Sequence, residues 1–501
     1  MWHIGRRGRP VARIIPLLLA ALAGLAFLTV RYSRPVARPA AAPANRQRDG
    51  SAAPPTRSYK TAIAFVDARP ILAAHAHRLP KDLSGQIAGG LEAAWPAWVS
   101  RQDAAIRARL ARGDEDSIVN LWLYGTTFTT RPRATARDIA RLRGRDEHEE
   151  LLLGRLDDLV DGMSSPGANE RLQFARQVLE RQGIDPASPP GKQQARVYLV
   201  AARERAIAEH ARYQRLLASA GAVGDSARLD AYVDAYRDRG LSSDTSIQAD
   251  FAVHQALHAI RASGGLAPGS IRRVAIVGPG LDFTDKVDGH DFYPQQTIQP
   301  FAVVDSLIRT GLAAPDRLRV TTLDLSPRVN RHIEAARERA RRGDAYVLQL
   351  PLDRDVPGRE WRPEMVEYWN SFGGTVGDAV EAAAPPPGAR DVRVRAVRVS
   401  PEIVLSLVPY DLNIVLERLD PLDPQERFDL IVATNVLVYY DAFQQALALA
   451  NIVHMLRPGG LFLTNYAVVP AASMDPAPLA VTKVFWDRQH NGDTVFTFRK
   501  R

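Results

Sequence analysis

The sequence has no cysteine in its 501 residues. Disulfides, thiolate metal sites and cysteine nucleophiles are therefore excluded, although this absence does not fix the cellular compartment. Aromatic residues make up only 7% of the chain, and no dense lysine and arginine tract with interleaved aromatic residues occurs. The formal net charge of +9 is spread along the chain, which is typical of a solvated surface, so we do not expect nucleic-acid binding.

Charge is also missing from residues 14–30, which read I-I-P-L-L-L-A-A-L-A-G-L-A-F-L-T-V. A membrane span needs about 17–25 apolar residues. Arginines flank the run on both sides, and we predict a single transmembrane anchor over residues 12–30. A cleaved signal peptide is the alternative, with small residues at 40–42, but that point lies far beyond the apolar run. Residues 31–58 are rich in Pro, Ala, Arg and Ser and are predicted to form a flexible linker.

Residues 59–265 are predicted to form a mainly helical accessory domain, because a chain of this length is expected to hold two folded parts. Its Ala/Leu/Arg-rich segments are separated by Gly, Pro and Asp/Ser clusters. A helix over residues 104–111 is expected to stop at Gly113, and one over residues 193–218 at Gly221. Residues 250–261 carry apolar side chains at helical spacing. No catalytic motif occurs in this part.

Histidines form two features in the helical part. His75 and His77 read H-A-H, and His254 and His258 lie four residues apart on one helical face. Two neutral imidazoles at that spacing can share a metal ion, but a third ligand and an H-E-x-x-H pattern are both missing. We therefore interpret these residues as ordinary helix-surface histidines and predict no metal site.

From residue 271 onward apolar strands alternate with helices, which indicates an α/β sheet. Residues 273–280 (R-V-A-I-V-G-P-G) form a buried strand ending in Gly278 and Gly280, whose turn needs positive φ or a close backbone approach. The next strand, residues 318–323, ends in Asp324. Further strands are predicted at 346–350, 428–433 and 461–465, followed by a hairpin of 481–485 and 494–498 around an Asn491–Gly492 turn.

Helices are predicted between these strands. Residues 300–310 carry an apolar face, and Asp441 is placed to cap a helix running to residue 456. Ser326 is placed to cap another helix, with Pro327 in its first turn. Its buried stripe is expected to comprise Val329, Ile333, Ala336 and Ala340.

Two segments carry a family resemblance: F-D-L-I-V-A-T-N-V-L-V-Y-Y-D at 428–441 and L-R-P-G-G-L-F-L at 456–463. Residues 271–501 resemble class I S-adenosylmethionine-dependent methyltransferases, and these segments are most similar to the chemoreceptor-type protein glutamate methyltransferase family. The resemblance implies a Rossmann-like α/β domain over residues 266–501, with a mostly parallel sheet and an antiparallel terminal hairpin. Thr434 stands where that family commonly has arginine, so a glutamate acceptor does not follow.

The resemblance also implies the cofactor site. Gly278 and Gly280 would let the backbone pass close to S-adenosylmethionine, and Asp324 would accept hydrogen bonds from its ribose hydroxyls. The remaining cofactor-binding candidates are Asp411 and Leu412 for the adenine, and Asn435 at a strand tip. A nucleotide-binding Rossmann domain shares the two glycines, but Phe283 replaces the third glycine of G-x-G-x-x-G.

The loop after the glycine turn carries acids at every third position: Asp282, Asp285, Asp288 and Asp291. Carboxylates can gather a divalent cation, but we interpret this loop as a solvated lid whose acids cap turns. Asp291, Tyr293 and Tyr439 are candidates for residues that face the substrate.

These features predict a membrane-anchored methyltransferase that uses S-adenosylmethionine and acts on an unknown protein or small-molecule acceptor. The cofactor is made in the cytoplasm, so the cytoplasmic side of the cell membrane is favoured over export, although arginines on both flanks leave the anchor unoriented. The alternative is a non-catalytic, methyltransferase-like membrane scaffold or interaction protein. An altered first motif, with Leu281, Asp282 and Phe283 after the glycines, motivates that alternative.

Overall fold

The computed structural model describes residues 60–76, 79–84, 88–133, 145–220, 239–284, 290–356, 358–389, 392–420 and 422–501. The predicted anchor over residues 12–30 and linker over residues 31–58 lie outside these ranges, and so do His77, Gly221, Asp285 and Asp288. Across the described ranges, no helix combines the length and the apolar character that a membrane crossing requires.

The described strands group into one large sheet and two small ones. In chain order they are β1 (Lys60–Ala62), β2 (Arg273–Val277), β3 (Arg319–Asp324), β4 (Tyr346–Asp353), β5 (Gly377–Val380), β6 (Val392–Val399), β7 (Leu407–Asp411), β8 (Glu417–Leu419), β9 (Phe428–Ala433), β10 (Leu456–Thr464), β11 (Ala480–Phe485) and β12 (Gly492–Arg499).

The large sheet has seven strands in the order β11-β12-β10-β9-β2-β3-β7. Neighbours from β10 to β7 pair in parallel, whereas β12 is antiparallel to both β10 and β11. The central strand β9 is buried at every residue, as expected when helices cover both faces of a parallel sheet. The predicted α/β class, the mostly parallel sheet and the antiparallel terminal hairpin are confirmed.

The described helices precede the large sheet and connect its strands. They are α1 (Phe65–Ala74), α2 (Lys81–Ser84), α3 (Ala88–Tyr124), α4 (Arg145–Ser164), α5 (Glu170–Arg181), α6 (Pro189–Ala220), α7 (Ile247–Ala262), α8 (Gln299–Arg309), α9 (Pro327–Arg341), α10 (Pro363–Ser371), α11 (Pro401–Ser406) and α12 (Ala442–Met455).

Strand β2 shows how the two faces of the large sheet are covered. Successive side chains of a strand point to opposite faces. Accordingly Val274 and Ile276 pack into one apolar core, with α7, α8 and α9, while Ala275 and Val277 pack into a second, with α1, α12 and the first half of α3. Helix α7 therefore belongs to the packing of the sheet, although it precedes residue 266.

The helical part has its own core, and α3 connects it to the sheet. The second half of α3 packs with α4, α5 and α6, whereas Trp95, Trp98 and Ile106 in its first half pack against the sheet. The helix expected to stop at Gly113 instead continues through it to Tyr124. Gly113 is small for a different reason: a Cβ atom there would lie 1.9 Å from the carbonyl oxygen of Leu241.

The strand predicted at 346–350 exists as β4, but it pairs outside the large sheet. Strands β4, β6 and β5 form a three-stranded antiparallel sheet inserted between α9 and β7. The predicted hairpin is present, but its loop is longer than an Asn491–Gly492 turn. Gly492 already pairs with Phe485, and Asp487 accepts hydrogen bonds from both the backbone and side-chain nitrogens of Asn491.

The predicted helix caps had mixed outcomes. Asp441 forms a full capping box with Gln444 at the start of α12. Ser326 is the N-cap residue of α9, but its hydroxyl makes no capping bond. Its backbone N–H instead donates to the carboxylate of Asp324. The predicted stripe of α9 is buried as expected: Val329, Ile333, Ala336 and Ala340.

Candidate functional site

The turn after β2 is built on two glycines in the left-handed region. Gly278 has φ +66° and Gly280 has φ +68°. A Cβ atom on Gly278 would lie 2.6 Å from Cγ2 of Val436, and one on Gly280 would lie 2.5 Å from the carbonyl oxygen of Ser243. Both positions therefore require glycine for two reasons: the backbone has positive φ, and a neighbouring atom lies where a side chain would begin.

Asp324 ends β3 beside this turn, and its carboxyl group is buried. One of its oxygens accepts a hydrogen bond of 2.7 Å from the backbone N–H of Ser326. Burial raises the pKa of Asp324 to about 6, while the backbone N–H groups of Ser326 and Gly280 and the charge of Arg328 oppose the rise. The carboxylate is therefore mostly ionised at neutral pH and is ready to accept hydrogen bonds.

A cleft of about 740 Å³, counting the part open to solvent, lies at the carboxyl ends of β2, β3 and β9. This edge is where ligands bind in open α/β sheets. Of the residues predicted from the sequence, the cleft brings together Gly278, Gly280, Asp324, Leu412, Asn435 and Tyr439.

Asp411 does not line the cleft, although its neighbour Leu412 does. Its carboxylate accepts a hydrogen bond of 2.8 Å from Nη2 of Arg107 on α3, and its side chain is 50% exposed. Arg107 also bonds the carbonyl oxygen of Leu325 and the carboxylate of Asp103. The cleft wall at this end is consequently apolar, formed by Leu412 and Ile414.

Asp291 and Tyr293, predicted to face the substrate, lie away from the cleft as buried structural residues. The Asp291 carboxylate accepts four hydrogen bonds of 2.6–3.1 Å from the backbones and hydroxyls of Thr126 and Thr127. The Tyr293 hydroxyl donates to Asp282, while its carbonyl oxygen accepts from Arg171. Asp291 and Arg171 thus fasten the loop to the helical part. The interpretation of this loop as a solvated lid is wrong for its described residues, because most of them are buried.

Asn435 stands at the tip of β9 with φ +57°, in the left-handed region that asparagine tolerates better than most residues. Its backbone N–H donates to Oδ1 of Asn465, and Nδ2 of Asn465 donates to Oδ1 of Asn435, each at 2.8 Å. Nδ2 of Asn465 also donates to Asp493. This pattern orients both amides, and within the described part of the chain Nδ2 of Asn435 has no partner.

Gln299, which lines the cleft, and the neighbouring Asp250 are polar residues that the sequence did not single out. Nε2 of Gln299, the first residue of α8, donates to the Thr434 hydroxyl at 2.7 Å. Beside it Asp250 on α7 is buried, which raises its pKa to about 8, and the Gln299 amide opposes that rise only in part. Asp250 is therefore mostly protonated at neutral pH. No local sequence signal pairs a helix glutamine with an acid 49 residues earlier.

The helical part supplies the rest of the cleft. Leu110 on α3 and residues 241–245, here named the wall segment, line the cleft together with Asp324. The Arg328 guanidinium, which lies near Asp324, stacks on the rings of Phe174 and Phe283, 4.0 and 4.9 Å from their centroids. Burial lowers the pKa of Arg328, and the nearby carboxylates of Asp114, Asp244 and Asp324 oppose the change. The sequence analysis did not predict the wall segment. The one sequence feature that could have indicated it is the pair of glycines at positions 113 and 240, which allow α3 and this segment to pack closely.

The histidines and acids show no metal site within the described ranges, where no group of three His, Asp or Glu side chains converges. His258 is exposed on α7. Nδ1 of His254 lies 3.1 Å from the hydroxyl of Ser306, and burial lowers the pKa of His254 to about 4.

No protein-family model matches the sequence, and no curated protein does. Among solved structures, the N-methyltransferase NodS from Bradyrhizobium japonicum WM9 is 16% identical, with 50% of this chain and 94% of that chain covered and a TM-score of 0.24. Magnesium protoporphyrin IX methyltransferase (ChlM) from Synechocystis PCC 6803, with bound SAM, is 9% identical, with coverages of 54% and 95% and a TM-score of 0.24. An O-methyltransferase family protein from Burkholderia thailandensis is 11% identical, with coverages of 73% and 98% and a TM-score of 0.23.

TM-scores this low carry no weight for function. The strand order of the large sheet defines the fold, and the side chains that line the cleft define the site.

Proposed function

We propose that this chain binds S-adenosylmethionine and transfers its methyl group to an acceptor. The observation that carries the proposal is one cleft that gathers the glycine turn after β2, the acid ending β3 and the asparagine ending β9. The cleft lies at one edge of a mostly parallel sheet that ends in an antiparallel hairpin, β11 and β12, as the family resemblance implied.

The cleft residues fit the parts of this cofactor. The glycine turn leaves room for the cofactor to approach the backbone, and the ionised Asp324 would accept hydrogen bonds from the ribose hydroxyls. Leu412 and Ile414, both almost fully buried, would pack on the adenine ring. Asp411 is not assigned to the cofactor, because its carboxylate forms an ion pair with Arg107.

The bound cofactor would supply an electrophilic methyl group: its C–S bond breaks, the electron pair stays on sulfur, and the methyl group joins the nucleophile. The chain's contribution is to orient the acceptor and exclude water. Asn435 would serve the first task, because its Oδ1 is held by Asn465 while the two N–H donors of its Nδ2 have no partner among the described residues. Such donors would hold an oxygen atom of the acceptor.

Glutamate is not the acceptor that we propose. Where the glutamate methyltransferase family commonly has arginine, Thr434 is buried and its hydroxyl accepts a hydrogen bond from Gln299. The described residues that line the cleft include no lysine or arginine. An acceptor carboxylate would thus lack a cationic partner at this position, and the acceptor is left open.

Calorimetry on the full-length chain tests the proposal. Asp324→Asn keeps the shape of the side chain but removes its charge, so we expect S-adenosylmethionine to bind at least about tenfold more weakly, or about 1.4 kcal/mol. Asp316→Asn removes the same charge from a side chain that is 78% exposed and should leave the affinity unchanged. An unfolding transition in both variants shows that they fold.

A second experiment separates the enzyme from a scaffold. Incubating the protein in its native membrane or lysate with methyl-labelled cofactor, at a concentration below its Kd, should transfer label to an acceptor. Asp324→Asn should reduce this transfer in proportion to its weaker binding. Cofactor binding without transfer to any acceptor would favour the non-catalytic scaffold. A wild-type chain that binds no cofactor would remove the methyltransferase proposal altogether.

We further propose that residues 12–30 anchor the chain and that residues 59–501 face the cytoplasm. The uncharged run supports the anchor, and the cytoplasmic origin of S-adenosylmethionine supports the orientation. A reporter fused after Arg501 that is active on only one side of the membrane tests the orientation. An outward-facing carboxyl terminus would contradict both the orientation and the enzymatic activity.

A further inference from the structure

The wall segment begins where the chain packs tightly against α3. At Gly240, the residue before the segment, there is no room for a side chain, because a Cβ atom would lie 2.5 Å from the backbone nitrogen of Gly113. The backbone N–H of Leu241 donates to the carbonyl oxygen of Arg109 at 3.1 Å, and Nε of Arg109 donates to the carbonyl oxygen of Arg239 at 3.0 Å. The segment is therefore bonded to the helix through its backbone.

Its other side is held against the glycine turn. The backbone N–H of Leu281 donates to the carbonyl oxygen of Ser243 at 2.7 Å, and Asp244 and Leu281 form a parallel bridge. The missing Cβ of Gly280 makes this approach possible. A strand-like piece of the helical part is thus clamped between α3 and the loop that the cofactor would approach.

This clamp places a second carboxylate in the cleft wall. Asp244 lines the cleft together with Asp324 and is only 9% exposed. The Ser117 hydroxyl lies 3.2 Å from both of its carboxylate oxygens. The Arg328 guanidinium lies near both acids, but it stacks on the Phe283 ring and is not part of the cleft lining. The described residues that line the cleft thus include two acids, Asp244 and Asp324, and no lysine or arginine.

We propose that Asp244 is a cofactor-binding residue, contributed by the helical part, that pairs with a cationic group of S-adenosylmethionine. This inference rests on the proposed function. The cofactor carries a sulfonium and an α-ammonium group, and a carboxylate fixed in a partly buried wall attracts a cation more strongly than an exposed one does. The helical part thereby completes the cofactor site as well as packing against the sheet.

Calorimetry on the full-length chain with three probes tests this role. S-adenosylmethionine carries both cations, S-adenosylhomocysteine keeps only the ammonium group, and 5′-methylthioadenosine is a neutral nucleoside with neither. Asp244→Asn should weaken S-adenosylmethionine by roughly 10–100-fold and leave methylthioadenosine within about twofold. Asp378→Asn, which removes the same charge from a side chain that is 81% exposed, should change none of the three affinities.

Each result has a defined meaning. Equal losses for S-adenosylmethionine and S-adenosylhomocysteine support pairing with the ammonium group, and a loss confined to S-adenosylmethionine supports pairing with the sulfonium. Unchanged affinities in Asp244→Asn, or an equal loss for methylthioadenosine, overturn the inference while the proposed function stands. A wild-type chain that binds no S-adenosylmethionine removes both.

A second variant covers the case in which Asp244→Asn does not fold. Ser117→Ala keeps the Asp244 charge but removes the hydroxyl that lies against its oxygens. We expect it to weaken S-adenosylmethionine severalfold and to leave methylthioadenosine unchanged, because only the orientation of the carboxylate is lost. Equal affinities of this variant and the wild type for S-adenosylmethionine would count against the pairing.

Discussion

At the scale of one residue, two features of Asp324 shift its pKa in opposite directions. Its carboxylate accepts a backbone hydrogen bond, which favours the charged form, but burial outweighs this and raises its pKa from 3.8 to about 6. A carboxyl group whose pKa is raised on folding stabilises the fold at a pH below 3.8. That contribution is lost as the pH rises through 6.

The stability of the unliganded chain should therefore depend on Asp324 between pH 4 and pH 7. Relative to Asp324→Asn, the wild type should lose up to about 3 kcal/mol of unfolding free energy over this range. Urea unfolding of both proteins at pH 4, 5, 6 and 7 measures the difference. A constant difference across the range would show that the carboxyl group is not buried as described.

Gly280 allows a prediction that separates backbone strain from close approach. Gly280→Ala should destabilise the chain in both ways, because φ is +68° and a Cβ atom would lie 2.5 Å from the Ser243 carbonyl oxygen. Gly311 has a similar φ of +70° but open space around it, so Gly311→Ala should cost only about 1–2 kcal/mol.

Denaturant unfolding of the two variants gives the comparison. Gly280→Ala should be the less stable by about 1–3 kcal/mol, the usual cost of overpacking, and it alone should lose affinity for S-adenosylmethionine. Equal unfolding free energies would mean that the wall segment does not press on the glycine turn.

At the scale of elements, α3 and the wall segment are linked through Gly113. From helix propensity alone, Gly113→Ala should stabilise an interior helix position by about 1 kcal/mol. The structure predicts the opposite sign, because the new methyl group would lie 1.9 Å from the Leu241 carbonyl oxygen and displace the wall segment. A net loss of stability and of cofactor affinity is expected.

Gly154→Ala, inside α4, is the matched control for Gly113→Ala. Its nearest neighbour is the guanidinium of Arg131, the mobile end of a side chain that is 46% exposed and can move aside. This variant should be neutral or gain up to about 1 kcal/mol in thermal or urea unfolding. A stabilised Gly113→Ala that keeps its affinity for S-adenosylmethionine would contradict the packing described for the wall segment.

The elements that the sequence predicted well are those with local causes. The alternation of apolar strands and helices, the Asp441 cap and the stripe of α9 each depend on side chains within a few residues of one another. The strand ends followed from the same patterns, so the positions of Gly278 and Asp324 at one edge of the sheet were also predictable.

The features that the sequence did not predict depend on residues far apart in the chain. Asp411 is drawn to Arg107, 304 positions away, and Asp291 bonds Thr126 at a separation of 165. Gly113 was predicted to end a helix because it is a glycine, yet it lies inside α3 where the backbone of Leu241 packs against the helix. A short polar or glycine residue has the same local signature in both roles, so only the tertiary partner decides between them.

At the scale of the whole molecule, the helical part and the sheet share cores. Phe251, Leu257 and Ile260 of α7 pack with β2, while Trp95 and Trp98 of α3 pack with α12 on the other face. The change of sequence pattern near residue 265 therefore does not coincide with a gap in packing. The domain limits at 59–265 and 266–501 stay a prediction. Because the two parts share cores, whether residues 266–501 fold on their own has to be tested.

Truncation answers that question. A chain of residues 60–501 keeps every described contact to the cleft and should bind S-adenosylmethionine with the affinity of the full-length chain. A chain of residues 266–501 lacks α3, α7 and the wall segment, so both faces of its sheet would expose apolar side chains to water at a cost of roughly 25 cal/mol per Å². We expect the shorter chain to aggregate or to unfold without cooperativity, and to bind no cofactor.

Circular dichroism melts, size-exclusion chromatography and calorimetry on the two truncations measure this. A monomeric, cooperatively folding 266–501 chain with full affinity would show that the helical part is dispensable for the cofactor site, and Asp244 with it.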